Sequence, residues 1–180
     1  MKTQFVYFHG LQHKPKISYK FSLLESYFSK RFDFHYYEWV HTSNITKLLN
    51  KALHQLKDEK QIIIFGDSTG ANFAYQLREL RKKQNKNDIL ILSSPLLNYK
   101  QRITNNKFPD NIATYMKTIE DPSNAFVIIS LTDELIDQSW LIKKEYEHLK
   151  IHIVEDSHVL LNFEKHSIPV IEEYINIYIN

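Results

Sequence analysis

The sequence has no cysteine and only three glycines in 180 residues. Without cysteine, the chain has no disulfide, no thiolate zinc site and no cysteine nucleophile. Long apolar runs are missing too: none approaches the roughly 20 residues that span a bilayer, and the apolar run near the N-terminus is too short for a signal peptide. We therefore expect a cytoplasmic protein with no membrane span.

An excess of charge of one sign is also absent. The chain carries 23 Lys and Arg against 21 Asp and Glu, a formal net charge of +2, which is too small to indicate a nucleic-acid partner. The basic run over residues 78–86 falls where a helix is predicted to end, and it is typical of a solvated helix terminus. Metalloprotease, phosphate-loop and dinucleotide-binding motifs are missing, so we expect neither a metal nor a cofactor.

Short apolar runs alternate with segments of helical period along the chain. The runs predicted as strands are Phe5–Phe8, Phe32–Tyr37, Ile62–Phe65, Ile89–Leu92, Ala125–Ser130 and Ile151–Val154. Helices are predicted over 17–30, from an N-cap at Ser43 to about 56, from Thr69 to about Lys83, over Ile136–Leu149 and from about His166 to Ile179. This alternation predicts an α/β fold, about six mostly parallel strands with helices on both faces, in a single domain over residues 1–180.

Two of the three glycines flank one serine, in the stretch Gly66-Asp67-Ser68-Thr69-Gly70. The stretch lies between an all-apolar strand and a helix, where G-x-S-x-G predicts a nucleophile elbow with Ser68 on a sharp turn. Side chains two residues before and after the serine would collide there, so both positions need to be small. The alternative is a serine that caps an ordinary helix, but a cap does not require glycine on both sides.

An acid and a histidine follow later strands. In parallel sheets, ligands bind beyond the carboxyl ends of the strands, so polar residues at those ends are the candidates for chemistry. Asp133 is the favoured acid, because Glu134 should point elsewhere and Asp137 lies in the next helix; an ordinary loop cap is its alternative. His158 follows the last strand, with a surface loop histidine as the alternative. The chain order Ser, Asp, His is that of α/β-hydrolases.

The third glycine, Gly10, ends the first predicted strand. In the α/β-hydrolase arrangement, the loop at this kind of position supplies one oxyanion N–H and the residue after the nucleophile supplies another. The candidates are the backbone N–H groups of Leu11 and Thr69. A simple turn at Gly10 is the alternative.

The chain resembles the α/β-hydrolases, and more narrowly the small single-domain bacterial esterases of the YqiA type. The likeness covers nearly the whole chain and includes F-V-Y-F-H-G-L, I-I-I-F-G-D-S-T-G-A-N-F-A, I-I-S-L-T-D-E-L-I-D and E-D-S-H-V-L-L-N-F-E. The elbow and final helix are also similar to short serine hydrolases of the retinoblastoma-binding type. The resemblance implies a Ser68–His158–Asp133 triad that hydrolyses esters or thioesters through an acyl-enzyme. The chain departs from the usual pattern where Ala71 and Asp156-Ser157 replace glycines.

The irregular segment 93–124 is a candidate for a small cap over the site. Its Leu96, Leu97, Tyr99 and Phe108 either line an acyl pocket or only pack. Because no large lid domain is available, we expect a small or short-acyl ester or thioester as the substrate. A non-catalytic binding protein with the same fold, and an acyltransferase in which an alcohol replaces water, remain alternatives.

Overall fold

The computed structural model describes residues 2–12, 17–143 and 148–179. Six strands form one sheet in the order β2-β1-β3-β4-β5-β6, and all neighbouring pairs are parallel. Their bounds are β1 Thr3–Phe8, β2 Phe32–Tyr37, β3 Ile63–Asp67, β4 Ile89–Ser93, β5 Ala125–Ser130 and β6 Lys150–Val154. The predicted parallel α/β sheet is therefore confirmed.

Helices cover both faces of the sheet. They are α1 Tyr19–Phe28, α2 Ile45–Gln55, α3 Thr69–Lys82, α4 Asp110–Ala113, α5 Ser139–Lys143, α6 Phe163–His166 and α7 Ile168–Tyr178, with a 3₁₀ turn at Tyr99–Gln101. Within the described ranges, no helix combines the length and the apolar character needed to cross a membrane.

α1 is two residues shorter at each end than the predicted 17–30, and two other predicted helix starts differ because of side-chain hydrogen bonds. The N-cap of α2 is Asn44, whose side chain accepts from the Lys47 N–H at 2.9 Å, whereas the Ser43 hydroxyl accepts from the Val40 N–H. The helix predicted from Ile136 begins at Ser139 instead, because residues 133–138 form a side-chain-bonded loop. Residues 144–147 of this predicted helix lie outside the described residues.

The central strands β1, β3, β4 and β5 are mostly apolar because both of their faces are buried. In β1, Val6 and Phe8 pack with α2 and α3, while Phe5 and Tyr7 pack with α1 and α7. The same alternation continues through β3 and β4. Successive side chains of a strand point to opposite faces of the sheet. When helices cover both faces, the side chains on both sides are buried, so the strand is apolar along its length.

The winding of the sheet changes direction between β1 and β3. The connection from β1 to β2 runs through α1 on one face, and the connection from β2 back to β3 runs through α2 on the other. At such a switch point the connections leave in opposite directions, so a crevice opens at the carboxyl edge of the sheet. The ends of β1 and β3 lie side by side there, with Phe8 paired to Gly66.

Candidate active site

Ser68 occupies a strained turn between β3 and α3. Its backbone has φ 52° and ψ −120°, a region that non-glycine residues rarely adopt. Hydrogen bonds hold it there: its N–H donates to the Ser93 carbonyl at 2.9 Å, and its carbonyl accepts from Ala71 and Leu96, each at 3.0 Å. Such strain costs on the order of 1–3 kcal/mol and persists only where the surroundings enforce it. The turn has the form of a nucleophile elbow.

The two glycines beside Ser68 are required by close packing. A Cβ added to Gly66 would lie 2.5 Å from the Ala71 Cα, and one added to Gly70 would lie 2.3 Å from the His9 carbonyl oxygen. Because both contacts are with backbone, no side chain fits without moving a strand or a helix. Gly10 is less constrained, since its added Cβ would lie 3.1 Å from the Ser68 Cβ. All three glycines therefore adjoin one serine.

The structure brings Ser68, His158 and Asp133 together from three separate loops. The Ser68 Oγ lies 2.9 Å from Nε2 of His158, and Nδ1 of the same ring lies 2.7 Å from Oδ2 of Asp133. The histidine and aspartate side chains are only 9% and 2% exposed, so water does not compete for this pair. A nucleophile within hydrogen-bond reach of a base, and that base held by an acid, is the arrangement that activates a serine. Their catalytic role remains a prediction.

Asp133 is held by its own loop. Its Oδ1 accepts from the backbone N–H groups of Leu135 and Ile136, both at 2.9 Å. Its Oδ2 accepts from the Gln138 side chain as well as facing His158. The two interpretations of Asp133 from the sequence, a loop cap and an acid beside the histidine, are therefore compatible, because one oxygen caps the turn and the other faces the imidazole. The sequence did not reveal Gln138, since a glutamine five residues after an acid is an ordinary spacing.

The loop that carries His158 is built around Asp156. This carboxylate accepts from the N–H groups of Ser157 at 2.7 Å and Asn162 at 2.9 Å. Burial alone would raise the pKa of Asp156, but these backbone hydrogen bonds lower it overall. Asp156 thus orders the turn that precedes His158.

Glu134 also contributes to the His158 loop. Its Oε2 accepts from the His158 backbone N–H at 2.9 Å. The sequence prediction that Glu134 points away from the imidazole is consistent with this, but its bond to the histidine backbone was not foreseen. Adjacent acids therefore fix the ring and the backbone of the same histidine.

His9 is a fully buried ring between β1 and the segment that follows β2. Its Nε2 accepts from the Trp39 N–H at 3.0 Å, so the ring proton is on Nδ1, which lies 2.6 Å from the Gly10 carbonyl oxygen. Burial lowers the pKa of His9 below its ordinary value, which favours the neutral ring that these bonds need. A trans peptide points its C=O and N–H in opposite directions, so a fixed Gly10 carbonyl also fixes the Leu11 N–H.

Leu11 and Thr69, the predicted oxyanion donors, line the same cavity as Ser68 and His158. Neither backbone N–H donates to a protein acceptor anywhere in the described ranges. Thr69 is also the first residue of α3, where helix N–H groups lack intrahelical partners. Both groups are thus available to a ligand, and their role as oxyanion donors remains a prediction.

A buried ion pair lies directly beside the elbow. Lys20 Nζ is 2.6 Å from Oδ1 of Asp67 and also donates to the Ser93 hydroxyl at 3.0 Å. The lysine and aspartate side chains are 5% and 16% exposed. Asp67 precedes Ser68 and lines the cavity, so Lys20 balances a negative charge next to the serine. No sequence pattern indicates this pair, because its members are far apart along the chain.

The cavity in front of Ser68 has a volume of about 770 Å³. The segment 93–124 forms one of its walls, with Leu96 and Phe108 lining the cavity. Leu97 is instead fully buried in the core, and Tyr99 is largely exposed. Of the four residues proposed from the sequence for the acyl pocket, two face the cavity.

Asn72 of α3 anchors this wall. Its side-chain nitrogen donates to the Lys117 carbonyl at 2.8 Å, and its oxygen accepts from the Lys117 N–H at 3.0 Å. The same nitrogen donates to the Leu96 and Leu97 carbonyls at 3.3 Å. The segment 93–124 is therefore held against α3, one of the helices that cover the sheet.

In the described parts of the chain, no three His, Asp or Glu side chains are grouped so that they could hold a metal ion.

No protein-family model and no curated protein matches this sequence. Solved structures do match. Est1E from Butyrivibrio proteoclasticus is 14% identical, with a TM-score of 0.73 over 98% of this chain and 88% of that one. An α/β superfamily hydrolase from Oenococcus oeni and a meta-cleavage product hydrolase from Pseudomonas fluorescens are each 10% identical, with TM-scores of 0.70 over 98% of this chain and 92% of theirs.

These neighbours are α/β-hydrolase superfamily members, and the chain has the α/β-hydrolase fold. At such low identities the likeness concerns the fold alone. The narrower resemblance to YqiA-type esterases stays a prediction, as do the roles of the site residues.

Proposed function

We propose that this protein is a serine hydrolase that cleaves carboxylic esters or thioesters of small or short-acyl substrates through an acyl-enzyme on Ser68. The observation that carries the proposal is the chain of contacts from Ser68 Oγ through the His158 ring to Asp133, at 2.9 and 2.7 Å. The strained elbow, which presents the serine at the mouth of a cavity, supports the same conclusion.

In the proposed first step, Ser68 Oγ attacks the acyl carbonyl carbon. Its proton moves to Nε2 of His158, which is free to accept because Nδ1–H donates to Asp133. The imidazolium then gives this proton to the departing alcohol or thiol. Asp133 holds the ring in the required tautomer and stabilises its positive charge.

In the second step, water attacks the acyl-enzyme carbonyl. His158 takes a proton from that water and returns it to Ser68 when the tetrahedral intermediate breaks down. The N–H groups of Leu11 and Thr69 stabilise the oxyanion in both steps, each worth about 3 kcal/mol by analogy with measured donors. The neutral, buried His9 supports the Leu11 donor by fixing the preceding carbonyl.

The cavity sets the proposed substrate size. A volume of about 770 Å³ suits a small molecule, and its wall of Leu96 and Phe108 suits a short apolar group. Est1E, which shares the fold, has been solved with ferulic acid bound. We extend only the small size of that ligand to the present proposal.

Fluorophosphonate labelling followed by mass spectrometry tests the nucleophile. The expected result is one adduct on Ser68 in the folded protein and none in the Ser68→Ala variant. An unlabelled Ser68 in folded wild-type protein would rule out the proposed chemistry.

Turnover separates the proposal from its alternatives. p-Nitrophenyl acetate and butyrate should be hydrolysed by the wild type and not by Ser68→Ala, whereas equal rates would favour a non-catalytic binding protein. Product analysis with added alcohols distinguishes an acyltransferase, which would release a new ester in place of the free acid.

A further inference from the structure

We propose that Arg102 binds an anionic group on the substrate, so that the preferred ester or thioester carries a carboxylate away from its scissile bond. This inference rests on the proposed function, because it assigns a substrate class to the same site. Arg102 lines the cavity that also contains Ser68 and His158. No motif in the sequence singles out Arg102.

The backbone around Arg102 is attached to the loop that holds Asp133. Arg102 forms an antiparallel bridge with Ile136, the Ile103 N–H donates to the Leu135 carbonyl at 3.0 Å, and the Asp137 N–H donates to the Gln101 carbonyl at 2.7 Å. Arg102 is therefore fixed to the same structural unit as the proposed catalytic acid. Binding groups held on such a unit keep a defined distance from the reacting atoms.

The guanidinium itself is held by neutral groups. One of its nitrogens donates to the Asn106 carbonyl at 2.6 Å, and its carbon lies 4.9 Å from the Phe108 ring centroid and 5.5 Å from that of Tyr99. Contact with the two aromatic rings holds the planar guanidinium in place without neutralising its charge.

The other arginines of the chain each have a carboxylate partner. Arg31 pairs with Glu172, Arg78 with Glu79, and Arg81 with Asp88. Across the described ranges, no carboxylate lies within ion-pair distance of Arg102. A guanidinium has five N–H donors, and only one of them donates to a described residue, which leaves donors for a ligand.

The electrostatics of the cavity favour a negative ligand. Asp67 is the one carboxylate among the described residues that line it, and Lys20 Nζ already balances that charge at 2.6 Å. Arg102 therefore remains as an unbalanced positive charge on the wall. A carboxylate fits the guanidinium because two parallel N–H···O bonds match its geometry.

Two pairs of esters test the proposal, one for each side of the scissile bond. On the acyl side, p-nitrophenyl hydrogen adipate is compared with its neutral methyl ester. On the alcohol side, 4-acetoxybenzoate is compared with methyl 4-acetoxybenzoate. For each pair, the ratio of kcat/KM for the charged ester to kcat/KM for the neutral ester is measured in the wild type and in variants, so that intrinsic reactivity cancels between proteins.

Arg102→Gln should lower this ratio by roughly 10- to 100-fold in at least one pair, as expected for lost hydrogen bonds between charged groups. Arg102→Lys should retain part of the preference, because it keeps the charge but not the fork. Lys107→Gln is the matched control: it removes one positive charge from the same wall, but Lys107 is 83% exposed and lies 3.4 Å from Asp110. Its ratio should stay within about threefold of the wild type.

A second readout does not require turnover. Binding of adipate to Ser68→Ala, measured by calorimetry, should weaken at least about tenfold when Arg102→Gln is added. If the wild type hydrolyses esters but the charge ratio is the same in Arg102→Gln for both pairs, the anion site is refuted and the hydrolase proposal stands. If no ester is hydrolysed but adipate binding depends on Arg102, the anion site stands and the hydrolase proposal is refuted.

Discussion

Replacing Lys20 with methionine tests whether the buried charge beside Ser68 is balanced as the structure indicates. Methionine has a similar length and fills the same apolar space, so the change removes mainly the positive charge. The Asp67 carboxylate, 2.6 Å from the lysine nitrogen, would then keep no opposite charge. Removing one partner of a buried pair is costly because the remaining ion has lost its hydration.

The expected loss of unfolding free energy is about 3 kcal/mol. Broken buried pairs cost about 3–5 kcal/mol, and the 16% exposure of the Asp67 side chain places this pair at the lower end of that range. With an m-value of about 2 kcal/mol per molar urea, the unfolding midpoint should fall by about 1.5 M. Ester turnover should also decrease, because an unbalanced carboxylate in the cavity opposes a developing oxyanion.

The matched control is the double variant Lys20→Met with Asp67→Asn. It removes both charges, so it should recover more than half of the lost stability, and turnover should recover with it. Urea unfolding and p-nitrophenyl butyrate hydrolysis on the same preparations give both readouts. The reasoning is wrong if Lys20→Met lowers the midpoint by less than about 0.3 M, or if the double variant is no more stable than the single one.

Asp133→Asn should lower kcat by about 10³- to 10⁴-fold, because the amide nitrogen cannot accept from the imidazole. The stability loss should be about 1–3 kcal/mol, because the amide oxygen still caps the turn but the bond from the Gln138 side chain is lost; a fall in kcat below tenfold would contradict the proposed triad. Gly70→Ala should cost about 3 kcal/mol and Gly10→Ala about 1 kcal/mol, because the added Cβ meets backbone at 2.3 Å in the first case and a side-chain carbon at 3.1 Å in the second; equal losses in urea unfolding would show that the close contact at Gly70 is not limiting. Burial lowers the pKa of His9 below 6.5, so as the pH drops below 6.5 the unfolded chain binds a proton before the folded protein does, and the free energy of unfolding should fall. This loss should be smaller in His9→Gln. Parallel curves of unfolding free energy against pH for the two proteins would argue against a neutral, buried His9.

The sheet was predictable because its strands are short, because the central strands are apolar at nearly every position, and because helical segments separate them. Two helix starts were predicted wrongly, and both depend on side-chain hydrogen bonds that compete locally. Asn44 and Ser43 are both good N-caps, and only the structure shows that Ser43 is used by the Val40 N–H. The start of α5 was displaced because Asp133 and Asp137 bond to the backbone of their own loop.

The convergence of Ser68, Asp133 and His158 was also predictable, because each of them follows a strand of one parallel sheet. Topology brings the carboxyl ends of such strands to one edge, so residues that are distant in sequence must converge there. Ser68, Asp133 and His158 each met this condition, and the order along the chain selected them. The scarcity of glycine helped, since each glycine had to have a local steric reason.

The residues that set the charge of the site were not predictable in the same way. Lys20 lies on α1 and Arg102 in the irregular wall, and neither follows a strand. Their positions depend on how helices and loops pack over the edge of the sheet, which no spacing in the sequence encodes. Under the proposed function, the charge of Asp67 beside Ser68 favours an oxyanion only when a cation balances it. The sequence shows the acid of this pair but not its partner, and the packing of α1 determines that Lys20 supplies the cation.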